Sequence, residues 1–142
     1  MTSKSSGNQG ESTVLGILRY EGWGDIERQV EVGGHILDFR GKHAEVGVAL
    51  HEVKVWERDG GKDPVKKALW DATDLKLQGI ETPYILWLSH ELLGNYGDQI
   101  QRAIGAGFVH QVRVIGYHVI QHTPLGIDGH KESPRPKPGA TT

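Results

Sequence analysis

Apolar positions recur along the chain with two periods, one typical of helices and the other typical of strands. Residues 14–18 carry apolar side chains at helical spacing, so a first helix should end near Gly22. Two short runs follow, residues 26–32 and 35–40, and Gly33-Gly34 between them is typical of a tight hairpin turn. This part of the chain therefore predicts one helix and a pair of antiparallel strands.

The remaining pattern alternates between strands and helices. A valine-rich run over 46–56 alternates as a strand does, and Asp63-Pro64 marks the start of a second helix. The apolar stripe of that helix consists of Val65, Ala68, Leu69, Ala72 and Leu75. The apolar run 83–89 predicts a buried strand, and a third helix over 97–106 and a last strand over 109–119 complete the order. The order α-β-β-β-α-β-α-β predicts the α/β class, with a mixed central sheet flanked by helices.

The two ends of the chain differ in composition from its middle. Residues 1–10 are mostly small and polar, and residues 122–142 are rich in Pro and Gly, so both segments are predicted to be flexible. A single folded domain over residues 11–121 remains, and a chain of 142 residues is long enough to give it a sizeable core.

Composition excludes several classes of protein. Without cysteine, the chain has no disulfide framework, no thiolate metal site and no cysteine nucleophile. No apolar stretch approaches the length of a membrane span, so no membrane partner is expected. The N-terminus lacks the apolar core of a secretory signal peptide, and a chain without cysteine suits the cytosol, so the expected compartment is the cytoplasm. The net charge of −2 argues against a surface that is basic throughout, but it allows a local basic groove beside acidic residues.

Charged side chains interrupt two of the predicted strands, and they carry the candidate chemistry. Leu50, Glu52 and Lys54 share one face of their strand, because side chains alternate along a strand. Burying a glutamate and a lysine there without partners is costly. Asp38 lies within or at the end of the preceding strand, so pairing of the two strands brings it towards Glu52. Two convergent carboxylates and a lysine are what a hydrolytic Mg²⁺ site requires.

The segment from Asp38 to Lys54, D-FRGKHAEVGVALH-E-V-K, resembles the core motif of the PD-(D/E)xK nuclease superfamily. The resemblance implies a restriction-endonuclease-like fold and a Mg²⁺-dependent endonuclease acting on DNA, with Mn²⁺ as a substitute ion and RNA left open as a substrate. It also implies that Asp38 and Glu52 bind the metal, with the Val53 carbonyl as a further ligand. Lys54 would then assist the nucleophile or the transition state.

Two other positions bear on this resemblance. Many members of the superfamily carry a further acid on the first helix, and Glu11 matches it, because it shares a helix face with Leu15 and Leu18. An acid on an apolar face is expected to meet a functional site. The chain departs from the motif at Leu37, which stands where the superfamily has proline.

The second half of the chain, residues 69–117, is similar in layout to nuclease toxin domains that bacteria deliver into other cells. This similarity implies action in the cytoplasm of a target cell and an inhibitory protein as partner. A restriction or repair-type nuclease and a homodimer remain open beside the toxin.

Lysines near the predicted site are candidates for contacts with nucleic-acid phosphates. They are Lys42, Lys62, Lys66 and Lys67. The structural alternative for them is a solvated helix face, which the sequence leaves open. Among the tryptophans, Trp56, Trp70 and Trp87 are predicted to lie in the core, and Trp23 is predicted to be more exposed.

Structural alternatives also remain for the acids. Glu52 and Lys54 could form an ion pair on a strand edge, and Asp38 could form a turn before Gly41. Glu11 could simply complement a helix dipole. For the protein as a whole, the alternative is a catalytically inactive member of the same fold that binds nucleic acid or a protein partner.

Overall fold

The structure, a computed structural model, describes the backbone of residues 2–55, 63–115 and 126–127 and the side chains of residues 10–55 and 63–115. Four helices and six strands lie in these ranges. In chain order they are α1 (Thr2–Tyr20), β1 (Gly24–Val32), β2 (His35–His43), β3 (Gly47–Lys54), α2 (Pro64–Leu77), β4 (Tyr84–Ser89), α3 (His90–Asn95), α4 (Gly97–Gly105), β5 (Gln111–Ile115) and β6 (Gly126–Ile127).

The strands form one mixed sheet in the order β1-β2-β3-β4-β5-β6. β1, β2 and β3 pair antiparallel, whereas β3, β4 and β5 run parallel, and the two-residue β6 extends the sheet beside β5. Helices cover β4 on both faces, and its sequence YILWLS is accordingly apolar almost throughout. The chain is therefore an α/β protein with a mixed sheet flanked by helices, as the sequence predicts.

The helices cover the two faces of the sheet unequally. α1 packs on one face, against β3, while α2, α3 and α4 pack on the other face and on one another. The α1 side buries Val14, Leu18, Trp23, Phe39, Ala49, Val53, Ile85 and Trp87. The opposite side holds the larger cluster, built around Leu50, Leu86, Leu88, Val112 and the buried stripe of α2. None of the helices in the described parts of the chain combines the length and apolar character that a membrane span requires.

The hairpin and the second helix form where the sequence predicts them. Gly33 and Gly34 both have positive φ angles, 57° and 86°, as a two-residue turn between twisted strands requires. Asp63 caps α2, because its side chain accepts a backbone N–H of the first turn, and Pro64 follows it. The predicted apolar stripe of α2 is buried except at Leu69, which is half-buried.

Between β4 and α4 the chain forms a short helix, α3, that the sequence pattern does not predict. Ser89 ends β4 and caps α3 by accepting the backbone N–H of Leu92. α3 has only six residues, and Tyr96 separates it from α4. A helix of this length contains no repeat of its buried pair, Leu92 and Leu93, so periodicity cannot reveal it.

Some predicted limits fall at or beyond the edge of the described residues. α1 begins at Thr2, inside the segment 1–10 that was predicted to be flexible. β5 ends at Ile115 in a strand predicted to reach residue 119, and residues 116–119 lie outside the described ranges. The division into 1–10, 11–121 and 122–142 therefore stays a prediction.

Two predictions about tryptophan are wrong. Trp70 was predicted to lie in the core but is 59% exposed, because it is two positions from Ala68 and thus on the opposite face of α2 from the apolar stripe. Trp23 was predicted to be more exposed but is buried, since the turn at Gly22 folds it back beneath α1. Trp87 is fully buried, as predicted, and Trp56 lies outside the described residues.

Candidate active site

Asp38 and Glu52 face each other where β2 and β3 stop pairing. The antiparallel ladder begins at Phe39 and His51, so Asp38 and Glu52 are the next residues in register. Leu37 packs in the cluster on the α2 side of the sheet, whereas Phe39 packs on the α1 side. Residues two apart on a regular strand share a face, so the alternation is interrupted at Asp38. The interruption leaves the Asp38 side chain between the two strands.

Side-chain hydrogen bonds replace the missing rungs of the ladder. The Asp38 backbone N–H donates to Glu52 Oε1 at 3.1 Å, and the Val53 backbone N–H donates to Asp38 Oδ2 at 2.8 Å. Each carboxylate thus holds the backbone of the opposite strand. The structure therefore brings Asp38 and Glu52 together, in a geometry that the backbone fixes.

Lys54 completes this part of the site. Its Nζ lies 3.3 Å from Glu52 Oε2, and its side chain is partly open to solvent. Glu52 is only 6% exposed, and this burial raises its pKa to about 8, with the nearby charge of Asp38 adding to the rise and Lys54 opposing it. An acid in this environment holds its proton at neutral pH unless another cation joins the site.

Glu11 reaches the same place from α1. The preceding residue, Gly10, allows a close approach of α1 to β3, since a Cβ there would lie 2.9 Å from Val55 Cγ2. Burial raises the pKa of Glu11 to about 7, and the charge of Asp38 and a hydrogen bond with the Asp38 side chain add to the rise. Glu11 therefore meets Asp38, and a structural role at the helix dipole does not account for that contact.

Two residues of β1, Arg28 and Gln29, also reach the acids, and the sequence analysis missed them. Gln29 Nε2 donates to Glu11 Oε1 at 3.5 Å, and Arg28 Nη2 lies 3.9 Å from the same oxygen. A signal for them was present in the hairpin. With Gly33-Gly34 as the turn, Val32 pairs with His35, and counting back along the strands places Gln29 opposite Asp38.

A buried polar network supports the site from the α1 side of the sheet. His51 is fully buried, and its Nδ1 accepts a hydrogen bond from Trp87 Nε1 at 3.0 Å. The guanidinium of Arg113 lies 4.5 Å from the centre of the Trp87 ring, and it binds both carboxylate oxygens of Glu21, at 2.6 and 2.8 Å. Burial, with Arg113 nearby, lowers the pKa of His51 to about 3, so this imidazole is neutral. The network ties α1 to β3, β4 and β5.

The lysines predicted to contact nucleic acid are spread over the molecule. Lys42 is exposed near the far end of β2, four residues and about 13 Å along the strand from Asp38. Lys66 and Lys67 are exposed at the start of α2, where Lys67 forms an ion pair of 3.2 Å within the helix. Lys62 lies outside the described residues. The structure therefore places none of these three described lysines in contact with Asp38, Glu52 or Glu11.

The donor set of the site favours a hard cation over a soft one. Within the side chains that the structure describes, no three His, Cys, Asp or Glu residues stand close enough to hold an ion together. The available ligands are therefore the carboxylates of Asp38 and Glu52, with Glu11 beside them. A pair of carboxylates completed by water and substrate oxygens suits Mg²⁺, which is usually held in that way. The position of the Val53 carbonyl as a ligand stays a prediction.

Comparison with known proteins adds no family to this picture. No family model matches the chain, and no curated protein matches it. The chemistry of the site therefore has to be inferred from its own residues: two interlocked carboxylates, a third carboxyl group and a lysine.

Proposed function

We propose that this protein is a Mg²⁺-dependent nuclease that hydrolyses phosphodiester bonds of DNA. The observation that carries the proposal is the separation of β2 and β3, where Asp38, Glu52 and Lys54 meet. These are the three residues that the resemblance to the PD-(D/E)xK superfamily selects. A buried acid with a shifted pKa and a specific charged partner is a candidate for a functional site.

The order of the elements supports a restriction-endonuclease-like fold. The superfamily core is a helix, three strands, a helix, a strand, a helix and a strand. The chain has α1, then the antiparallel β1, β2 and β3, then α2, β4, α3 with α4, and β5. The additions to that order are the division of the third helix into two and the two-residue β6.

The charges of the site support a bound cation. The negative charge of Asp38 acts on both Glu52 and Glu11, and among the described residues Lys54 and Arg28 oppose it. Burial, with the charge of Asp38 adding to it, raises the pKa of Glu52 to about 8 and that of Glu11 to about 7. A divalent ion would replace the protons and stabilise the charged carboxylates.

Each residue then has a role. Asp38 and Glu52 would hold the ion, and their hydrogen bonds to the opposite strand keep both carboxylates oriented before the substrate binds. A bound Mg²⁺ would supply polarisation of the phosphate and a lowered pKa for an attacking water. Lys54, partly exposed beside Glu52, stabilises the negative charge that develops on the phosphate or orients the attacking water. Glu11 orients Asp38 from the opposite side through their hydrogen bond.

The direct test is incubation of the purified chain with plasmid DNA and with RNA, in Mg²⁺, in Mn²⁺ and in EDTA. Cleavage of DNA is expected in Mg²⁺, with Mn²⁺ as a substitute, and none is expected in EDTA. Asp38→Asn and Glu52→Gln should each lose cleavage, because each removes a charged ligand of the ion without changing side-chain size. Glu45→Gln, which alters an exposed acid in the β2–β3 turn, should cleave as the unchanged chain does.

Several outcomes separate the proposal from its alternatives. Cleavage of RNA alone would correct the substrate, and cleavage that continues in EDTA or in both acid variants would refute the metal site. Binding of DNA without cleavage would favour the inactive member of the fold. The proposal includes a toxin role, in which the protein acts in the cytoplasm of a target cell and binds an inhibitory protein. Co-purification with such a protein would support this role.

A further inference from the structure

β1 is irregular at Gln29, next to a cation that lies beside the acids. Arg28 pairs with Phe39 and Val30 pairs with Leu37, while Gln29 stands opposite Asp38 without regular pairing. Gln29 has a φ of 52°, in the left-handed region that residues other than glycine rarely adopt. A strained residue inside a strand, opposite a candidate catalytic acid, indicates a functional arrangement of the neighbouring side chains.

Arg28, the residue before Gln29, lies beside the acids and is open to solvent. Its Nη2 lies 3.9 Å from Glu11 Oε1, its guanidinium is 5.8 Å from the centre of the Phe39 ring, and its side chain is 54% exposed. The ion pair with Glu11 is long, and its arginine is exposed, so the pair holds the guanidinium weakly. More than half of the Arg28 side chain therefore remains open to a ligand that approaches the acids.

The position of β1 in the sheet makes such an approach feasible. β1 is the first strand in the sheet order, and no other strand among the described residues pairs with its outer side. A ligand that extends from the acids past Glu11 and Arg28 therefore meets no further described strand beyond β1. The planar guanidinium group binds phosphate oxygens in pairs, which suits it to a nucleic-acid backbone.

We propose that Arg28 is a phosphate-binding residue of the active site, which holds a backbone phosphate of the nucleic-acid strand at the open edge of the acidic cluster. This inference rests on the proposed nuclease function and deepens it, because it states where the substrate lies. The strand runs along β1, and the phosphate next to Arg28 sets the position of the bond that faces Asp38 and Glu52.

Arg40 provides a matched control for Arg28. It lies on the adjacent strand of the same hairpin, is partly exposed, and forms an ion pair with Glu27 at 2.8 Å. Arg28→Ala and Arg40→Ala therefore each remove one exposed arginine and one surface ion pair. Arg28→Lys keeps the charge at position 28 but removes the paired donors. Melting curves of all three variants establish that each one is folded.

Binding is measured by the fluorescence anisotropy of a labelled DNA duplex, with Ca²⁺ in place of Mg²⁺ and separately with EDTA, between about 50 and 200 mM salt. Arg28→Ala is expected to weaken binding about 10-fold or more and to reduce the salt slope by about 1. Arg28→Lys should restore the salt slope but only part of the affinity. Arg40→Ala should match the unchanged chain in both measurements.

Steady-state cleavage in Mg²⁺ adds a second measurement. Arg28→Ala should raise KM more than it lowers kcat, because the phosphate contact exists before and during the reaction. Equal binding and equal salt slopes for Arg28→Ala and Arg40→Ala would overturn the inference, as would an unchanged chain that binds DNA in neither buffer. A chain that binds through Arg28 but does not cleave would refute the nuclease function while leaving the phosphate contact supported.

Discussion

Replacing Glu52 by glutamine should make the metal-free protein less sensitive to rising pH. The pKa of Glu52 is about 8 in the folded chain, against 4.5 for an unperturbed glutamate. Below the unperturbed value the carboxyl is protonated in both the folded and the unfolded chain. Between the two values the folded chain keeps a proton that the unfolded chain has released. Stability contributed by this group is therefore complete at low pH and is lost as the pH rises towards 8.

The size of the effect follows from the same shift. A single group that titrates in the unfolded chain alone changes the free energy of unfolding by about 1.4 kcal/mol for each pH unit. Between pH 5 and pH 7, Glu52 should thus account for a loss of about 3 kcal/mol, which is roughly 10 °C in melting temperature for a domain of this size. Glutamine removes the titration and keeps an oxygen that can accept the Asp38 N–H.

The assay is urea unfolding in EDTA at several pH values, for the unchanged chain, Glu52→Gln and Glu45→Gln. The stability of the Glu52→Gln variant should fall less steeply from pH 5 to pH 7 than that of the unchanged chain. Glu45→Gln should follow the unchanged chain, because that residue is exposed in a turn. Parallel curves for all three proteins would show that Glu52 titrates normally, and they would refute the raised pKa of Glu52.

Three further predictions concern the surroundings of the acids. Lys54→Met should lower kcat by a large factor with little change in the Kd for DNA, and equal losses in both would make Lys54 a phosphate anchor only. Gly10→Ala should reduce cleavage strongly while it lowers the free energy of unfolding by only about 1–2 kcal/mol. The added Cβ would lie 2.9 Å from Val55, so α1 must move and Glu11 is misplaced. Unchanged cleavage would contradict this reasoning. His51→Phe should make the protein lose less stability when the pH falls from 6.5 to 4. The pKa of His51 is about 3 in the folded chain and 6.5 ordinarily, so in the unchanged chain stability is lost as the pH falls between these values. Urea unfolding at pH 4 and pH 6.5 measures the difference.

Local signals predicted the hairpin and the start of α2 well. Gly33-Gly34 determines a two-residue turn by itself, and Asp63-Pro64 determines a helix start, because both depend on the conformations of only a few residues. The encounter of Asp38 with Glu52 was predictable for a related reason. Antiparallel neighbours joined by a short turn have few registers available, so a strand order fixes which side chains meet.

Other parts of the structure depend on contacts that no short segment of sequence encodes. Trp70 and Trp23 were misplaced because their exposure depends on which face of α2 meets the sheet and on where the turn after α1 leads. The contact of Arg28 with Glu11 joins the edge of the sheet to α1 through the irregular Gln29, and apolar patterning carries no information about it. The bond between His51 and Trp87 likewise depends on the parallel pairing of β3 with β4.

The ion pair of Arg113 with Glu21 has a consequence for the order in which the protein assembles. The two residues are 92 positions apart, and the pair ties the end of α1 to β5. During synthesis the β1–β2–β3 meander can form as it leaves the ribosome, because its contacts are local. The ion pair with Arg113 cannot form until β5 has emerged, although α1 is made first. Before that point, only the apolar contacts of α1 with the β1–β2–β3 meander can hold Glu11 beside Asp38.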